Sequence, residues 1–208
     1  MKTLAILGAS GHGRVVADTA LSSGWDQVVF FDDAWPKFSQ NSFIQVLGGS
    51  DDLIATSDRY QGVAVAIGSN RVRLKKIKLF LAAGLYLPVL IHQRAYVAQN
   101  VLSAPGCLIF AGAIVQPGCS LGMGCIVNTA ASIDHDCKIG DCAHISPGAR
   151  LAGSVEIGEC VWIGLGATVN QCLTIGQHVL VGAGATVIDS VANHLTVVGN
   201  PARSIPKV

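Results

Sequence analysis

Charge is scarce in this chain of 208 residues: 14 basic and 13 acidic side chains leave a formal net charge of +1, and charged residues make up 13% of the total. A nucleic-acid-binding surface needs a basic patch or stripe, and this balance argues against one. Intrinsic disorder combines low hydrophobicity with high net charge, whereas 50% of this chain is hydrophobic. Aromatics are rare as well, at 6%, so the core must be packed from small and branched side chains. The length allows one or two domains. Long apolar runs are also missing. A membrane-spanning helix takes about 20 predominantly apolar residues. The uncharged stretch 95–133 is interrupted by Gln99, Pro105, Gly112, Pro117 and Asn128, and the stretch 79–91 is short and holds Gly84 and Pro88. The opening Met1-Lys2-Thr3-Leu4-Ala5-Ile6-Leu7-Gly8 is basic and then apolar, but its apolar run is too short for a signal peptide and reads as a first strand. The expectation is a soluble, cytoplasmic protein.

What the chain does have is a repeat. From Ile109 an aliphatic residue recurs every six positions through Val115, Leu121, Val127, Ile133, Ile139, Ile145, Leu151, Ile157, Ile163, Val169, Ile175, Val181 and Val187. Two positions earlier stands a small or branched residue, from Cys107 and Ala113 to Val161 and Ala167. Glycine often follows the aliphatic residue directly, as at Gly122, Gly140, Gly158, Gly164, Gly176 and Gly182. Positive φ is open to glycine, so these positions are expected to turn the corners. A period of six fits neither an α-helix nor a hairpin sheet. It fits a solenoid of short strands, each hexad one flat side, with stacked coils burying the aliphatic column. The repeat also absorbs four of the seven cysteines, since Cys107, Cys119, Cys125 and Cys137 hold the small interior position, where a thiol serves as a compact apolar group. Cys142, Cys160 and Cys172 share another phase. No Cys-x-x-Cys pair occurs, so neither a zinc knuckle nor a disulfide framework is indicated, and reduced thiols suit a cytoplasmic protein.

The first 92 residues follow a different rule. Thr3–Leu7 reads as a strand running into Gly8-Ala9-Ser10-Gly11-His12-Gly13, followed by a helix over 14–23. Further strands are expected at 28–31, ending in Asp32-Asp33, at 63–67, ending in Gly68-Ser69-Asn70, and at 89–91, with a basic helix over 71–83 whose Arg71, Arg73, Lys75, Lys76 and Lys78 read as a solvated face, with phosphate contact as the lesser alternative. Alternating strands and helices imply a small Rossmann-like parallel sheet, with its ligand at the carboxyl ends of the strands. There a glycine loop and a helix N-terminus favour a phosphate. The spacing G-x-x-G-x-G departs from the dinucleotide fingerprint, and Asp32 falls where a ribose contact is expected. The domains are accordingly 1–92, an α/β unit whose glycine loop binds a phosphate or nucleotide or is a plain tight turn, and 93–208, a β-helix with a C-terminal tail.

Together, the GASGHG loop, Asp32-Asp33, Ile67-Gly68-Ser69-Asn70, Asn128-Thr129 with Asp134-His135-Asp136-Cys137, His144-Ile145-Ser146-Pro147-Gly148-Ala149 and the tail 198–203 resemble the hexapeptide-repeat sugar O-/N-acyltransferases. The nearest branches are the UDP-4-amino-sugar N-acetyltransferases of bacillosamine-type pathways and the sialic acid O-acetyltransferases. The resemblance implies that the unit 1–92 binds a nucleotide sugar, and it implies a left-handed parallel β-helix with 18 residues per coil, a homotrimer, and acetyl-CoA bound between adjacent β-helices. It implies that His144, Gly153, Leu165 and Ala183 line the acetyl-CoA site, with the Gly153 amide facing the oxyanion. It implies that Ser10, Gly11 and His12 meet phosphate or sugar, that Asp32 and Asp33 meet the nucleoside, and that Gly68 offers a backbone contact. The residue after His135 is usually Glu in the amino-sugar branch; in this chain it is Asp136.

His135 also has a chemical claim of its own. Acylating an amine removes a proton from nitrogen, and imidazole has the side-chain pKa nearest neutrality. Two acids flank it at an outward corner, two residues after the inward Ile133. The expected activity is transfer of acetyl from acetyl-CoA to the 4-amino group of a UDP-linked 4-amino-4,6-dideoxy sugar, with His135 as base and Asp136 beside it. The alternative is O-acetylation of sialic acid or another sugar. A zinc hydro-lyase of hexapeptide type is disfavoured because a catalytic zinc takes three protein ligands and no H-x4-H pair occurs. A noncatalytic sugar-nucleotide scaffold is disfavoured because the Asp-His-Asp corner is intact. His92 is read as a strand end, and His178 and His194 as turn residues without acidic neighbours.

Overall fold

The structure is a computed structural model that describes residues 1–41 and 44–205. The chain opens with β1 (Thr3–Leu7), α1 (Gly11–Ser22), β2 (Gln27–Phe31), α2 (Ser50–Ala55), β3 (Gly62–Val65) and α3 (Asn70–Ala82). The three strands form a parallel sheet in the order β2-β1-β3, with Leu4 paired to both Val28 and Gly62. Buried on both faces, as parallel strands are, β1 is apolar from Leu4 to Leu7. α1 starts after Ser10, whose backbone is extended, and is followed by Gly24 at φ 90°. α2 has no apolar periodicity long enough to mark it in the sequence. It is fixed by Asp52 accepting the Gly49 N–H at 2.8 Å and Asp33 accepting the Ser50 N–H at 2.8 Å.

The rest is a parallel β-solenoid. Its strands are mostly two residues long and pair 18 positions apart, as in Ile126↔His144 and His144↔Trp162. Three faces result. One runs through Leu108, Ile126, His144, Trp162 and Leu180, a second through Ile114, Ser132, Arg150 and Thr168, and the third through Ser120, Lys138, Glu156 and Thr174. The aliphatic and small columns fill the interior together, including Cys107, Cys119, Cys125 and Cys137.

Three expectations need correction. Residues 90–91 are not a fourth strand of the α/β sheet: they pair in register with Leu108–Ile109 and make the solenoid's first rung. The corner glycines do not carry positive φ. That conformation falls two positions later, at Gly112, Gly118, Gly124, Gly148, Gly166 and Gly184 and at Ala130, Asp136, Cys142, Ser154, Cys160, Cys172 and His178. Glycine directly after the aliphatic residue answers crowding instead: a Cβ on Gly140 would lie 2.7 Å from the Gly158 carbonyl carbon one coil above. Finally, Arg73 is not on a solvated face; it is fully buried.

The two parts share cores. Ala9, Val16, Ala17 and Ala20 pack with Leu90, Leu108, Phe110 and Ile126 of the first face. Ile77 and Phe80 of α3 pack with Cys142 and Cys160 at solenoid corners, which accounts for two cysteines of the second phase, whereas Cys172 is exposed. The α/β unit therefore covers the His144 face and leaves the other two open. No helix among the described residues is long and apolar enough to cross a membrane.

Candidate active site

Among the described residues, histidines at an open corner and in the seam between the two parts bear on the expected site. His135 and Asp136 follow the strand Ser132–Ile133 on the corner, and both are exposed. Asp136 adopts φ 60°, a left-handed conformation that Asp tolerates better than most residues. The turn brings its carboxylate to His135 Nδ1 at 2.9 Å, while Asp134 Oδ1 accepts the His135 backbone N–H at 2.8 Å. The hydrogen bond from Asp136, with the charges of Asp134 and Asp136, raises the pKa of His135. With Nδ1 donating to the carboxylate, Nε2 carries the lone pair. Gly153 lies one coil above, and a Cβ there would fall 2.6 Å from both Nε2 and Cε1 of His135. The ring thus rests directly on Gly153, whose N–H has no acceptor among the described residues.

Beside this corner the Arg150 face forms an open groove of about 480 Å³ lined by Gln116, Asp134, Arg150, Thr168 and Asn170. Leu165 and Ala183, both exposed, sit one coil apart at the turn entering that face, and Gly153 at the turn leaving it. The groove's two edges therefore carry three of the four residues expected to bind acetyl-CoA. His144, the fourth, is elsewhere. Its ring is buried against Trp162, with centroids 4.6 Å apart, and its Nε2 accepts from Asn128 Nδ2 at 2.9 Å. Burial, reinforced by the positive charge of Arg73, holds its pKa down to about 3.

The seam also holds His12, set edge-on to Phe110 with centroids 5.6 Å apart. Burial and Arg73 hold its pKa down to about 4. His12 Nε2, His144 Nδ1 and Ser146 Oγ are buried with no hydrogen-bond partner among the described residues. The other expected ligand contacts stand at the carboxyl ends of the sheet strands. Ser10 and Gly11 are exposed at the start of α1, and a Cβ on Gly11 would meet only the Arg14 side chain. Gly8 is different: at φ 108° a Cβ would lie 2.5 Å from the Ala66 carbonyl oxygen. Asp32 accepts the Ala9 N–H at 3.0 Å and so ties the loop to β2. Asp33 pairs with Lys76 at 2.6 Å across a recess of about 240 Å³ that also includes Trp35, Gly49 and Ser50. The Lys76 and Ser50 contacts hold Asp33 below the usual carboxylate range despite partial burial. Gly68 is open on its Cα side and gives its carbonyl to Arg73.

Sequence reasoning missed Ser50 and Trp35 in this recess, and it named Lys76, Arg73 and Asn70 without their contacts to Asp33, Gly68 and the solenoid. No local pattern marks them, because each acts on a distant segment. His178 is also corrected: its Nε2 stands 3.8 Å from Glu159 Oε1, and its ring stacks on His194 at 5.0 Å. Among the described residues no three His, Cys, Asp or Glu side chains gather as a metal-ligand group.

Residues 3–80 match the family described as the PglD N-terminal domain. The acetyltransferase domain of PglB from Neisseria gonorrhoeae, solved in complex with acetyl coenzyme A, is 40% identical over 98% of this chain and 99% of that one, with a TM-score of 0.93. The chain belongs to the hexapeptide-repeat sugar acetyltransferases. PerB from Caulobacter crescentus, solved with CoA and GDP-perosamine, is 30% identical to this acetyltransferase over 99% of its length and 98% of PerB, with a TM-score of 0.93. WeeI from Acinetobacter baumannii is 28% identical over 99% of this chain and all of that one, with a TM-score of 0.86. The solenoid of the acetyltransferase is accordingly the left-handed parallel β-helix of this enzyme family.

Proposed function

We propose that this acetyltransferase moves the acetyl group of acetyl-CoA to the 4-amino group of a UDP-linked 4-amino-4,6-dideoxy sugar in one direct step, with His135 as general base. The amine nitrogen attacks the thioester carbonyl carbon, and its proton passes to His135 Nε2. The C–S bond then breaks, and the CoA thiolate leaves and takes up a proton, giving the amide and CoA. The observation that carries this reading is the His135 corner: Nδ1 held by Asp136 at 2.9 Å, and Nε2 turned to the Gly153 backbone. A base and an unengaged N–H share one spot, which suits a tetrahedral intermediate whose oxyanion needs a donor. Asp136, one methylene shorter than the Glu usual in the amino-sugar branch, still reaches the ring.

In this reading acetyl-CoA follows the Arg150 groove past Gly153, Leu165 and Ala183. The assignment of His144 to the donor rests on the family resemblance. The sugar nucleotide occupies the strand ends, with phosphate at Ser10, Gly11 and His12, the nucleoside toward Asp32 and Asp33, and a backbone contact at Gly68. A homotrimer fits the two uncovered faces, where Leu165 is 59% exposed, and the working place of the enzyme is the cytoplasm. PerB was solved with a GDP-linked sugar, so the nucleotide is the point to test. Purified protein is incubated with acetyl-CoA and, separately, UDP-, GDP- and dTDP-linked 4-amino-4,6-dideoxy sugars and free sialic acid, and the products are weighed by mass spectrometry. The expected result is a gain of one acetyl group on the UDP amino sugar. Acetylation of sialic acid alone overturns the N-acetyl reading, and acetylation confined to the GDP or dTDP sugar overturns the nucleotide.

A further inference from the structure

Arg73 is a cation without an anion. It sits in the first turn of α3, fully buried, and all its donors are spent on neutral acceptors. Nε bonds the Gly124 carbonyl at 2.9 Å, Nη1 the carbonyls of Ile67 and Gly68 at 2.8 and 3.1 Å, and Nη2 Asn70 Oδ1 and the Cys142 carbonyl at 2.8 and 2.7 Å. The ion pairs of the described residues involve Lys76, His92, His135, Lys138, His178 and Arg203, and none includes Arg73. Guanidinium stays protonated in proteins, and a buried charge without a partner is costly. Anchoring the α/β unit to the solenoid does not require that cost. Asn70 already donates to the carbonyls of Cys160 and Val161 at 3.1 and 2.9 Å without carrying charge.

The position of the charge supplies a reason for it. Arg73 holds the Ile67–Gly68 end of the third sheet strand, and that end lies against the glycine loop: Ala66 N–H bonds the Leu7 carbonyl at 2.7 Å, and Gly8 faces the Ala66 carbonyl. The field reaches the loop, since Arg73 contributes to the lowered pKa of both His12 and His144. Histidines kept neutral leave Arg73 as the buried positive charge near the glycine loop, next to the partly positive N-terminus of α1, while Arg14 supplies an exposed one beside Gly11.

We propose that Arg73 is a positioning residue for the phosphates of the sugar nucleotide: its buried charge stands behind the glycine loop, and a bound diphosphate completes the ion pair at a distance, without direct contact. This rests on the nucleotide-sugar reading above. It separates electrostatics from anchoring, because a diphosphate feels the charge and an uncharged nucleoside does not.

The test uses the full chain and four variants, Arg73→Met, Arg73→Gln, Arg73→Lys and Asn70→Ala, with UDP, GDP, uridine and guanosine as probes, read by calorimetry and ligand-observed NMR. Loss of the charge in the Met and Gln variants is expected to weaken diphosphate binding roughly ten- to a hundredfold, a Coulombic effect at intermediate dielectric, while nucleoside binding changes less than about twofold. Lys is expected to restore most of the loss. Asn70→Ala, which removes anchoring bonds and keeps the charge, is expected to retain the preference for diphosphate over nucleoside. The Gln variant serves if Met does not fold. Equal losses for diphosphate and nucleoside, a Lys variant no better than Gln, or an Asn70→Ala variant that loses the preference each overturn the proposal. Wild-type protein that binds neither UDP nor GDP overturns the nucleotide-sugar reading itself, whereas wild-type binding matched by every variant overturns the role of Arg73 alone.

Discussion

His135 and His144 lie half a coil apart in the same repeat, and the fold gives them opposite surroundings. At the open corner His135 is exposed, paired with Asp136 and shifted toward its charged form. In the seam His144 is sealed against Trp162, bonded to an amide and forced neutral. His135 stands in a turn two residues after the inward Ile133, and His144 in a strand one residue before the inward Ile145, so position in the hexad and what covers it both make the difference. The α/β unit lies over the His144 face and leaves the corner free. The solenoid thus supplies both corner and face positions, and the added domain seals the face that carries His144. Burial and a nearby cation keep one histidine neutral, while a hydrogen-bonded carboxylate at an exposed corner shifts the other toward its charged form.

The sharpest way to break this contrast is to remove the corner histidine. His135→Ala is expected to cut turnover by about 10²- to 10⁴-fold, the range of a general base, with the KM for acetyl-CoA nearly unchanged. Steady-state kinetics checks this, and unchanged turnover ends the role. The next largest effect is steric. Gly153→Ala places a methyl group 2.6 Å from the His135 ring, so the ring must swing off the corner. A displacement of about 1 Å costs on the order of 10²-fold in rate. Turnover is expected to fall by roughly that factor with little change in thermal stability, and a fully active Gly153→Ala enzyme removes the Gly153–His135 pairing from the reaction.

The solenoid was the legible part of this molecule because each repeat solves the same burial problem: Ile133, Ile139 and Ile145 point inward for one reason, and the period of six states it. The strand ends were legible for a similar reason, as glycine turns and paired acids mark where a parallel sheet stops. The seam was not. Arg73 and Lys76 sit in a helix whose sequence reads as a charged outer face, and only the tertiary fold buries the first against solenoid corners and pairs the second with Asp33 at the end of β2. The corner glycines misled in a more local way. Gly140 and Gly158 are needed because neighbouring coils approach closely, and coil stacking is a tertiary fact invisible to a single hexad. The His135 corner lay between these cases. Its acids were adjacent in sequence, but its contact with Gly153 crosses one full coil.

The two regions also shift their histidines in opposite directions. His12 and His144 are held at about 4 and about 3 in the folded state, whereas in the unfolded chain histidine titrates near 6.5. Below about pH 6.5 the unfolded state binds more protons, so stability is full above that value and is lost as pH falls toward the folded pKa values. Each seam histidine contributes a slope approaching about 1.4 kcal/mol per pH unit in that window. The unfolding midpoint should drop steadily between pH 7 and pH 5, and His144→Asn should flatten the slope by about half; an unchanged slope in that variant removes His144 from the effect. His135 runs the other way. Its pKa is raised chiefly by the Asp136 hydrogen bond, so its working, neutral form requires higher pH. Asp136→Asn keeps a side chain that tolerates positive φ and removes the charge. The acid limb of kcat/KM should therefore move to lower pH while the stability profile set by the seam stays in place. A limb that does not move means that Asp136 orients the ring without tuning it.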